Sequence, residues 1–390
     1  MKKFLALAMA GSMALSLAAC GNSGSSTAAS DSASSTTSSA TAEEATISEV
    51  TGIAQVCDVG TIDDESFNQG CWEAVEAFGE ANGIAVEYYL PSDDNDEERQ
   101  TLIRNAINDG ANTVVCVGYL YGPALAWASE EYPDVNFIGV DMTAADIGTE
   151  TIPENVYCIT YKEEQAGYLA GYAAVKDGFT ELGFLGGMAV PAVIRYGYGF
   201  VQGADAAAQE MGANIHINYW YGGAFSGDAN ITAKMESWYS GGTQVVFACG
   251  GGIYTSAVEA AVKYDGKVIG VDVDQNYIGE QDVESGKYSY NPFVTSAMKG
   301  LNEGVTDALD HVMNGTWSNI AGTNGVYGLQ EGDYVGLPTA EGSWNFSTFT
   351  VEEYEAVKEQ IRSGEIVVDD SSDDTVKPTV SESTTVDYQV

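Results

Sequence analysis

The sequence predicts an α/β protein with two doubly wound parallel-sheet lobes, a hinge and a cleft between the lobes. Short apolar runs alternate with amphipathic segments of helical length along most of the 390 residues, which is typical of a parallel sheet covered by helices on both faces. The second half also repeats the first, because the Ile-Gly-Val-Asp sequence of 138–141 recurs 131 residues later at 269–272. Equal spacing of repeated elements indicates two related lobes.

The elements of the first lobe follow in order from the same patterns. A strand is predicted over 53–58, and a helix begins at Ser66, which with Gln69 gives the signature of a capping box. Apolar residues then recur at helical spacing until Gly83, a helix-ending residue. The next elements are strands over 85–90, 113–117 and 136–141, alternating with a helix that ends at Gly110 and another over about 123–131.

The boundaries of the lobes and the chain ends are predicted from composition. We expect residues 51–160 plus about 293–316 to form the N-terminal lobe, and 161–292 plus about 317–367 to form the C-terminal lobe. Residues 368–390 are acidic and rich in Ser and Thr, and such a segment lacks the apolar surface needed to offset its chain entropy. We therefore expect a disordered acidic tail.

The N-terminal sequence predicts the cellular location of the protein. Residues 1–19 have a basic start, an apolar stretch and a final Leu-Ala-Ala before Cys20, which is the pattern of a lipoprotein signal peptide. Residues 20–50 would then comprise the lipidated Cys20 and a flexible Ser/Thr/Ala tether. We expect a protein held by this lipid on the extracellular or periplasmic face of the cell membrane.

Charge and composition exclude several classes of function. The formal net charge of −42 argues against nucleic acid as a partner, because its phosphates would be repelled. Neither His216 nor His311 lies in a catalytic or metal-binding pattern, so we expect no metal, no cofactor and no enzymatic activity. Five further cysteines are expected to be mostly buried free thiols, with one disulfide left open as an alternative: Cys57, Cys71, Cys116, Cys158 and Cys249.

The loop over 58–69 contains the most informative candidate binding residues. Asp58 ends a predicted strand, and Phe67 and Asn68 lie in the first turn of the following helix. A carboxylate accepts hydrogen bonds, an aromatic ring stacks on a planar group, and an amide both donates and accepts. The neighbouring acids at 63–65 are better explained by the positive end of the helix dipole.

At this loop the chain resembles the basic membrane protein/Med family of purine-nucleoside-binding lipoproteins. The resemblance is carried by DVGxxDDxSFNQxxWE at 58–73 and continues through segments at 184–188, 246–252, 268–275 and 295–299. It implies a type I periplasmic-binding-protein fold and a substrate-binding component of an ABC importer. The expected partners are a purine nucleoside, the ABC permease and, through Cys20, the membrane, and the chain itself is expected to be a monomer.

The resemblance also implies roles for individual residues. Asp58 and Asn68 would bind the base on which Phe67 stacks, Asp272 would accept from the ribose hydroxyls, and Lys299 would hold the ligand or orient Asp272. Asp141 would be a further carboxylate of the cleft. Independently of the resemblance, the glycines at 250–252 lack the Gly-Lys-Ser/Thr of a phosphate loop, so we expect the backbone at Gly250 to approach a neutral ligand closely. The second stacking ring stays open among three residues: Phe247, Tyr254 and Tyr196.

Three alternatives concern function. A hydrolase could act through carboxylates alone, and chromatography after prolonged incubation with candidate nucleosides would reveal its turnover. A protein of the same fold could bind a sugar or another small polar solute, since sugars also stack on aromatic rings. A surface adhesin or sensor would use the fold only as a scaffold. Binding of nucleosides in competition with free pentoses distinguishes these possibilities.

Overall fold

The computed structural model describes residues 50–389, so the predicted signal peptide, lipidated Cys20 and most of the tether lie outside the described residues. Two sheets organise this part of the chain, and all strand pairs are parallel except β10 with β12. The first sheet has the spatial order β11 (Thr323–Tyr327), β5 (Val156–Tyr161), β4 (Asn136–Val140), β3 (Thr113–Val117), β1 (Ile53–Val56) and β2 (Val86–Tyr89). The second has the order β12 (Val335–Gly336), β10 (Phe293–Lys299), β9 (Lys267–Asp272), β8 (Val245–Cys249), β6 (Glu181–Gly186), β7 (Ile215–Tyr221) and β13 (Thr384–Tyr388).

Helices connect the strands, as parallel pairing requires. They are α1 (Phe67–Asn82), α2 (Asp96–Asn108), α3 (Gly122–Glu131), α4 (Ala144–Ile147), α5 (Glu163–Lys176), α6 (Pro191–Met211), α7 (Ala229–Ser240), α8 (Tyr254–Ala261), α9 (Asn276–Glu284), α10 (Leu301–Met313) and α11 (Val351–Arg362). The central strands β3 and β8 are buried along their whole length. This arrangement confirms the predicted α/β class with two parallel-sheet lobes.

The chain crosses between the sheets at three places, after β5, after β10 and after β11. The crossings are hydrogen-bonded to one another. The Tyr161 hydroxyl donates to the Gly300 carbonyl (2.8 Å), and the Lys162 N–H donates to the Tyr327 carbonyl (2.9 Å). The segments that link the lobes therefore lie together, as a hinge requires.

The predicted lobe boundaries are wrong at these crossings. Residues 293–299 were assigned to the N-terminal lobe, yet β10 pairs with β9 in the second sheet. Residues 323–327 were assigned to the C-terminal lobe, yet β11 pairs with β5 in the first sheet. The physical reason is that β10 precedes a crossing and β11 follows it, and an apolar strand pattern does not specify which sheet the strand joins.

The predicted disorder of 368–390 is also wrong, because β13 lies in this tail and pairs with β7, which would otherwise be the edge of the second sheet. Polar contacts hold the segment: the Asp205 carboxylate accepts from the Ser381 hydroxyl (2.6 Å) and N–H, and Gln389 donates to the Asn218 side chain (2.8 Å). The tail thus covers a sheet edge whose backbone groups would otherwise be open to pairing.

Candidate functional site

A cavity lies between the carboxyl ends of the two sheets, which is where open α/β sheets usually bind their ligands. Both lobes contribute to its wall. The lining residues are Asp58, Val59, Asp64, Phe67, Asn68, Gly118, Tyr119, Asp141, Val190, Pro191, Ala192, Val193, Tyr196, Phe225, Cys249, Gly250, Gly251, Val271, Asp272 and Lys299. The structure therefore brings together all of the predicted ligand-binding residues except Phe247 and Tyr254.

Asp58 and Asn68 form one side of the cavity. The Asp58 N–H donates to the Asn68 side-chain oxygen (2.9 Å), which fixes the orientation of that amide. Its nitrogen, Asn68 Nδ2, makes no hydrogen bond within residues 50–389 and is left as a donor. Burial raises the pKa of Asp58 to about 7. The hydrogen bond from the Val59 N–H lowers this pKa, but its effect is smaller than that of burial.

The N-terminus of α1 is built differently from the predicted capping box. Ser66 makes no side-chain capping bond. Asp64 takes this role, because its carboxylate accepts from the backbone N–H groups of Ser66, Asn68 and Gln69 (3.0–3.1 Å). Ser66 is thereby free to donate its hydroxyl across the cleft to Asp272 (2.6 Å), so this helix start joins the two lobes.

Asp141 and Asp272 occupy equivalent positions in the two lobes. Each ends the repeated Ile-Gly-Val-Asp segment with a left-handed backbone, at φ 55° and 66° respectively. Asp is among the few residues that adopt this conformation readily. The fold thus turns one carboxylate from each sheet into the same cavity.

Lys299, at the end of β10, lies between these carboxylates. Its ammonium group pairs with Asp141, lies 3.5 Å from Asp272 and 3.8 Å from Glu163, and is 4.5 Å from the centre of the Phe67 ring. Burial by itself would lower the pKa of Lys299, but the three carboxylates together raise it. The lysine therefore carries its charge in the buried site.

Two polar atoms of the cavity residues are buried without a partner among residues 50–389: Asp141 Oδ1 and Tyr196 Oη. Burial also raises the pKa of Asp141 to about 6, although Lys299 lowers it. Buried polar groups are rarely left unpaired in folded proteins. The site is consequently equipped to accept and donate hydrogen bonds that the chain itself does not supply.

The two predicted residues outside the cavity belong to the core. Phe247 is fully buried in β8 and packs against Phe184 and Tyr196 (ring centres 5.5 and 5.8 Å apart). Tyr254 begins α8 and packs near Phe293 at 6.1 Å. Both residues were proposed as ligand contacts, and the structure does not bring either to the cavity, because their side chains fill the layers between sheet and helices.

Phe225 is the aromatic ring that the sequence analysis missed. It lies in the loop after β7 and packs on Gly187 and Gly250, where an added Cβ would meet its ring at 2.5 and 3.0 Å. The half-buried ring thus lines the cavity from the second lobe while Phe67 lines it from the first. Its sequence signal was an aromatic residue in a Gly-rich loop directly after a strand.

Fold and cavity together define a solute-binding protein with its ligand site between two α/β lobes. The comparisons with known proteins agree. The family described as "ABC transporter substrate-binding protein PnrA-like" matches residues 53–372. The chain therefore belongs to this family, whose members serve ABC transporters as solute-binding components and are not enzymes.

Two individual relatives and one solved structure are similar to the chain over most of its length. The "ABC transporter nucleoside-binding protein BmpA" of Lactococcus lactis is 29% identical over 299 residues, which cover 74% of this chain and 82% of that protein. The "CD4+ T-cell-stimulating antigen" of Listeria monocytogenes is 31% identical over 328 residues, covering 81% and 87%. A crystal structure of an ABC transporter solute-binding protein from Aeropyrum pernix has a TM-score of 0.70 at 20% identity, covering 83% of this chain and 94% of that one, which shows the shared fold.

Two classes of feature are missing from the part of the chain that the structure describes. Its helices include none with the length and apolar character needed to cross a bilayer. Among the same residues, no group of His, Cys, Asp and Glu side chains is arranged to hold a metal ion. The five cysteines of this part are all buried and free, which agrees with the expectation of buried thiols.

Proposed function

We propose that the chain binds a purine nucleoside in the cavity between its lobes and delivers it to the permease of an ABC importer. The observation that carries this proposal is that one cavity combines aromatic rings from both lobes, Phe67 and Phe225, with buried carboxylates and an amide donor. Flat rings suit a purine base, and carboxylates suit the hydroxyls of a ribose. The printed name of the Lactococcus lactis relative supports the same ligand class.

The base would be recognised by Asp58 and Asn68. The Asp58 carboxylate accepts from a base N–H, and Asn68 Nδ2 donates to a ring nitrogen or carbonyl of the base, because its amide oxygen is already held by the Asp58 N–H. A ligand must therefore present a donor and an acceptor on one edge. A purine base has this pattern, whereas a free pentose has no flat edge to place between the rings.

The ribose would lie at Asp272 and Lys299. Asp272 accepts from the sugar hydroxyls, and Lys299 holds Asp272 and Asp141 in place through its contacts with both. Four carboxylates line the cavity against one lysine: Asp58, Asp64, Asp141 and Asp272. This excess of negative charge would repel a phosphate group, so the proposal is for a nucleoside and not a nucleotide.

Ligand binding is proposed to act through closure of the hinge. The Ser66–Asp272 bond and the bond from the Gln275 side chain to the Glu65 carbonyl (2.8 Å) link the lobes beside the cavity. A ligand that contacts both lobes favours the closed arrangement. A monomer, tethered to the outer face of the membrane through a lipid on Cys20, would present this closed form to the permease.

A thermal-shift screen of the mature protein tests the proposal. A ligand that binds only the folded chain raises the unfolding temperature by mass action, so at least one of inosine, adenosine and guanosine should raise it, while ribose, arabinose and nucleoside monophosphates should not. A shift with pentoses alone would show a sugar-binding protein. No shift with any solute would favour the adhesin or sensor.

A further inference from the structure

Tyr196 is a residue of the cavity wall whose hydroxyl has no partner. The side chain is 1% exposed, and its Oη makes no hydrogen bond to any atom of residues 50–389. Burying a hydroxyl removes its hydrogen bonds to water, and leaving it unpaired costs free energy. Tyr196 is also one of the residues that line the cavity, so a ligand bound there is a candidate for the missing partner.

The ring of Tyr196 is held in one place by its surroundings. It lies edge-on to Phe247, with ring centres 5.8 Å apart and planes at 87°. Its backbone is fixed where α6 crosses α5, since a Cβ added to Gly167 would collide with the Tyr196 carbonyl oxygen. The ring is therefore held in place by its packing, which reduces the entropy lost when its hydroxyl binds a ligand.

Tyr196 lies on the side of the cavity that Asp272 and Lys299 line. The Lys299 ammonium is 5.9 Å from the centre of its ring. Burial raises the pKa of Tyr196 well above its ordinary value, and the negative charge of Asp272 raises it further. The ring thus lies close to Lys299, one of the two residues assigned to the sugar.

We propose that the Tyr196 hydroxyl forms a hydrogen bond with a ribose hydroxyl and makes the protein selective for the intact ribonucleoside. The inference rests on the proposed function and adds to it a residue that recognises the sugar. A phenylalanine at this position would keep the packing against Phe247 and remove only the hydrogen bond.

Calorimetric titration of the wild type and Tyr196→Phe tests the inference. The ligands are the nucleoside that binds in the screen, its 2′-, 3′- and 5′-deoxy forms, and the free base. Tyr196→Phe should raise the Kd for the nucleoside about three- to tenfold, the range expected for one neutral hydrogen bond. The deoxy form that lacks the contacted hydroxyl should bind the wild type and Tyr196→Phe with equal affinity. The free base, if it binds, should also bind both proteins with equal affinity.

The control is Tyr254→Phe, which removes a hydroxyl from a buried tyrosine of the same lobe outside the cavity and should leave every Kd unchanged. Equal affinity of wild type and Tyr196→Phe for the nucleoside would overturn the inference while leaving nucleoside binding intact. An equal loss with the free base would place the contact on the base and would also overturn it.

The wild type alone provides a second measurement that does not depend on the folding of a variant. It should bind one of the three deoxy forms more weakly than the parent nucleoside by at least the same factor. Equal affinity for all four would overturn the inference. Failure of the wild type to bind any nucleoside would refute the proposed function itself, and the inference with it.

Discussion

Asp272→Asn is the substitution that most sharply separates binding from folding. Asp272 has a left-handed backbone, accepts the Ser66 hydroxyl and lies 3.5 Å from Lys299. Asn adopts this conformation as readily as Asp does, whereas Ala would add backbone strain of roughly 1–2 kcal/mol. The amide oxygen at this position can still accept from Ser66, so the substitution chiefly removes the charge.

The expected effects differ in size for the empty and the bound protein. Lys299 keeps its pair with Asp141 and its approach to Glu163, so the empty protein should lose no more than about 1–2 kcal/mol of unfolding free energy. In the proposed complex, the substitution would remove up to two hydrogen bonds from ribose hydroxyls to a charged acceptor. At about 1.5–3 kcal/mol each, the Kd should rise by roughly two to four orders of magnitude.

Calorimetric titration with the nucleoside and urea unfolding of the empty protein measure these two quantities. Asp274→Asn is the matched control, because Asp274 lies two residues along the same loop, accepts from Ser343 and does not line the cavity. Its Kd should equal that of the wild type. The reasoning would be refuted by an unchanged Kd for Asp272→Asn, or by a loss of unfolding free energy large enough to account for the weaker binding.

Three further predictions follow from the same structure. Because burial raises the pKa of Asp58 from 3.8 to about 7, the affinity for the nucleoside should fall as the pH drops below 7, by up to about tenfold per pH unit. The stability that this group contributes to the empty protein should be lost as the pH rises from about 4 to 7. An affinity that does not change with pH, or the same pH profile in Asp58→Asn, would contradict this. Phe225→Ala should weaken nucleoside binding by about 1–3 kcal/mol in a titration, and Phe225→Tyr should restore most of it; equal affinity of wild type and Phe225→Ala would show that this ring does not contact the ligand. Truncation after residue 372 removes β13 and exposes the edge of β7, so the melting temperature should fall and size-exclusion chromatography should show association; an unchanged monomer would show that the strand is dispensable.

The fold was largely predictable from local patterns. The strands and helices predicted over 53–141 occur within one or two residues of the predicted bounds, because buried strands and amphipathic helices have different periods. The assignment of β10 and β11 to their sheets was not predictable in this way. It depends on where the chain crosses at the hinge, and no feature within either strand specifies this.

The ordered tail shows a different limit of the sequence. Val386 and Tyr388 alternate with polar residues, a strand pattern, but the segment before them is acidic and rich in Ser and Thr. Its anchor is the Asp205 carboxylate, which lies 176 residues from Ser381. Composition therefore favoured disorder, while the stabilising contacts come from a distant helix.

The cavity was predictable where residues directly follow strands of the repeated unit. Asp58, Asp141 and Asp272 were found by this rule, and Phe225 would have been found by applying it to the loop after β7. Phe247 was misplaced because an aromatic residue inside a buried strand faces a helix layer and not the end of the sheet. Ser66 was misread as a cap because its true partner, Asp272, is 206 residues away.

The most direct test of the central claim is a crystal structure of the mature protein grown with the nucleoside that binds most tightly. The account predicts density for one nucleoside between the lobes, with its base between Phe67 and Phe225 and its ribose hydroxyls against Asp272. Density for a ligand outside this cavity, or a ribose placed against Asp58 and Asn68 with the base at Asp272, would contradict it.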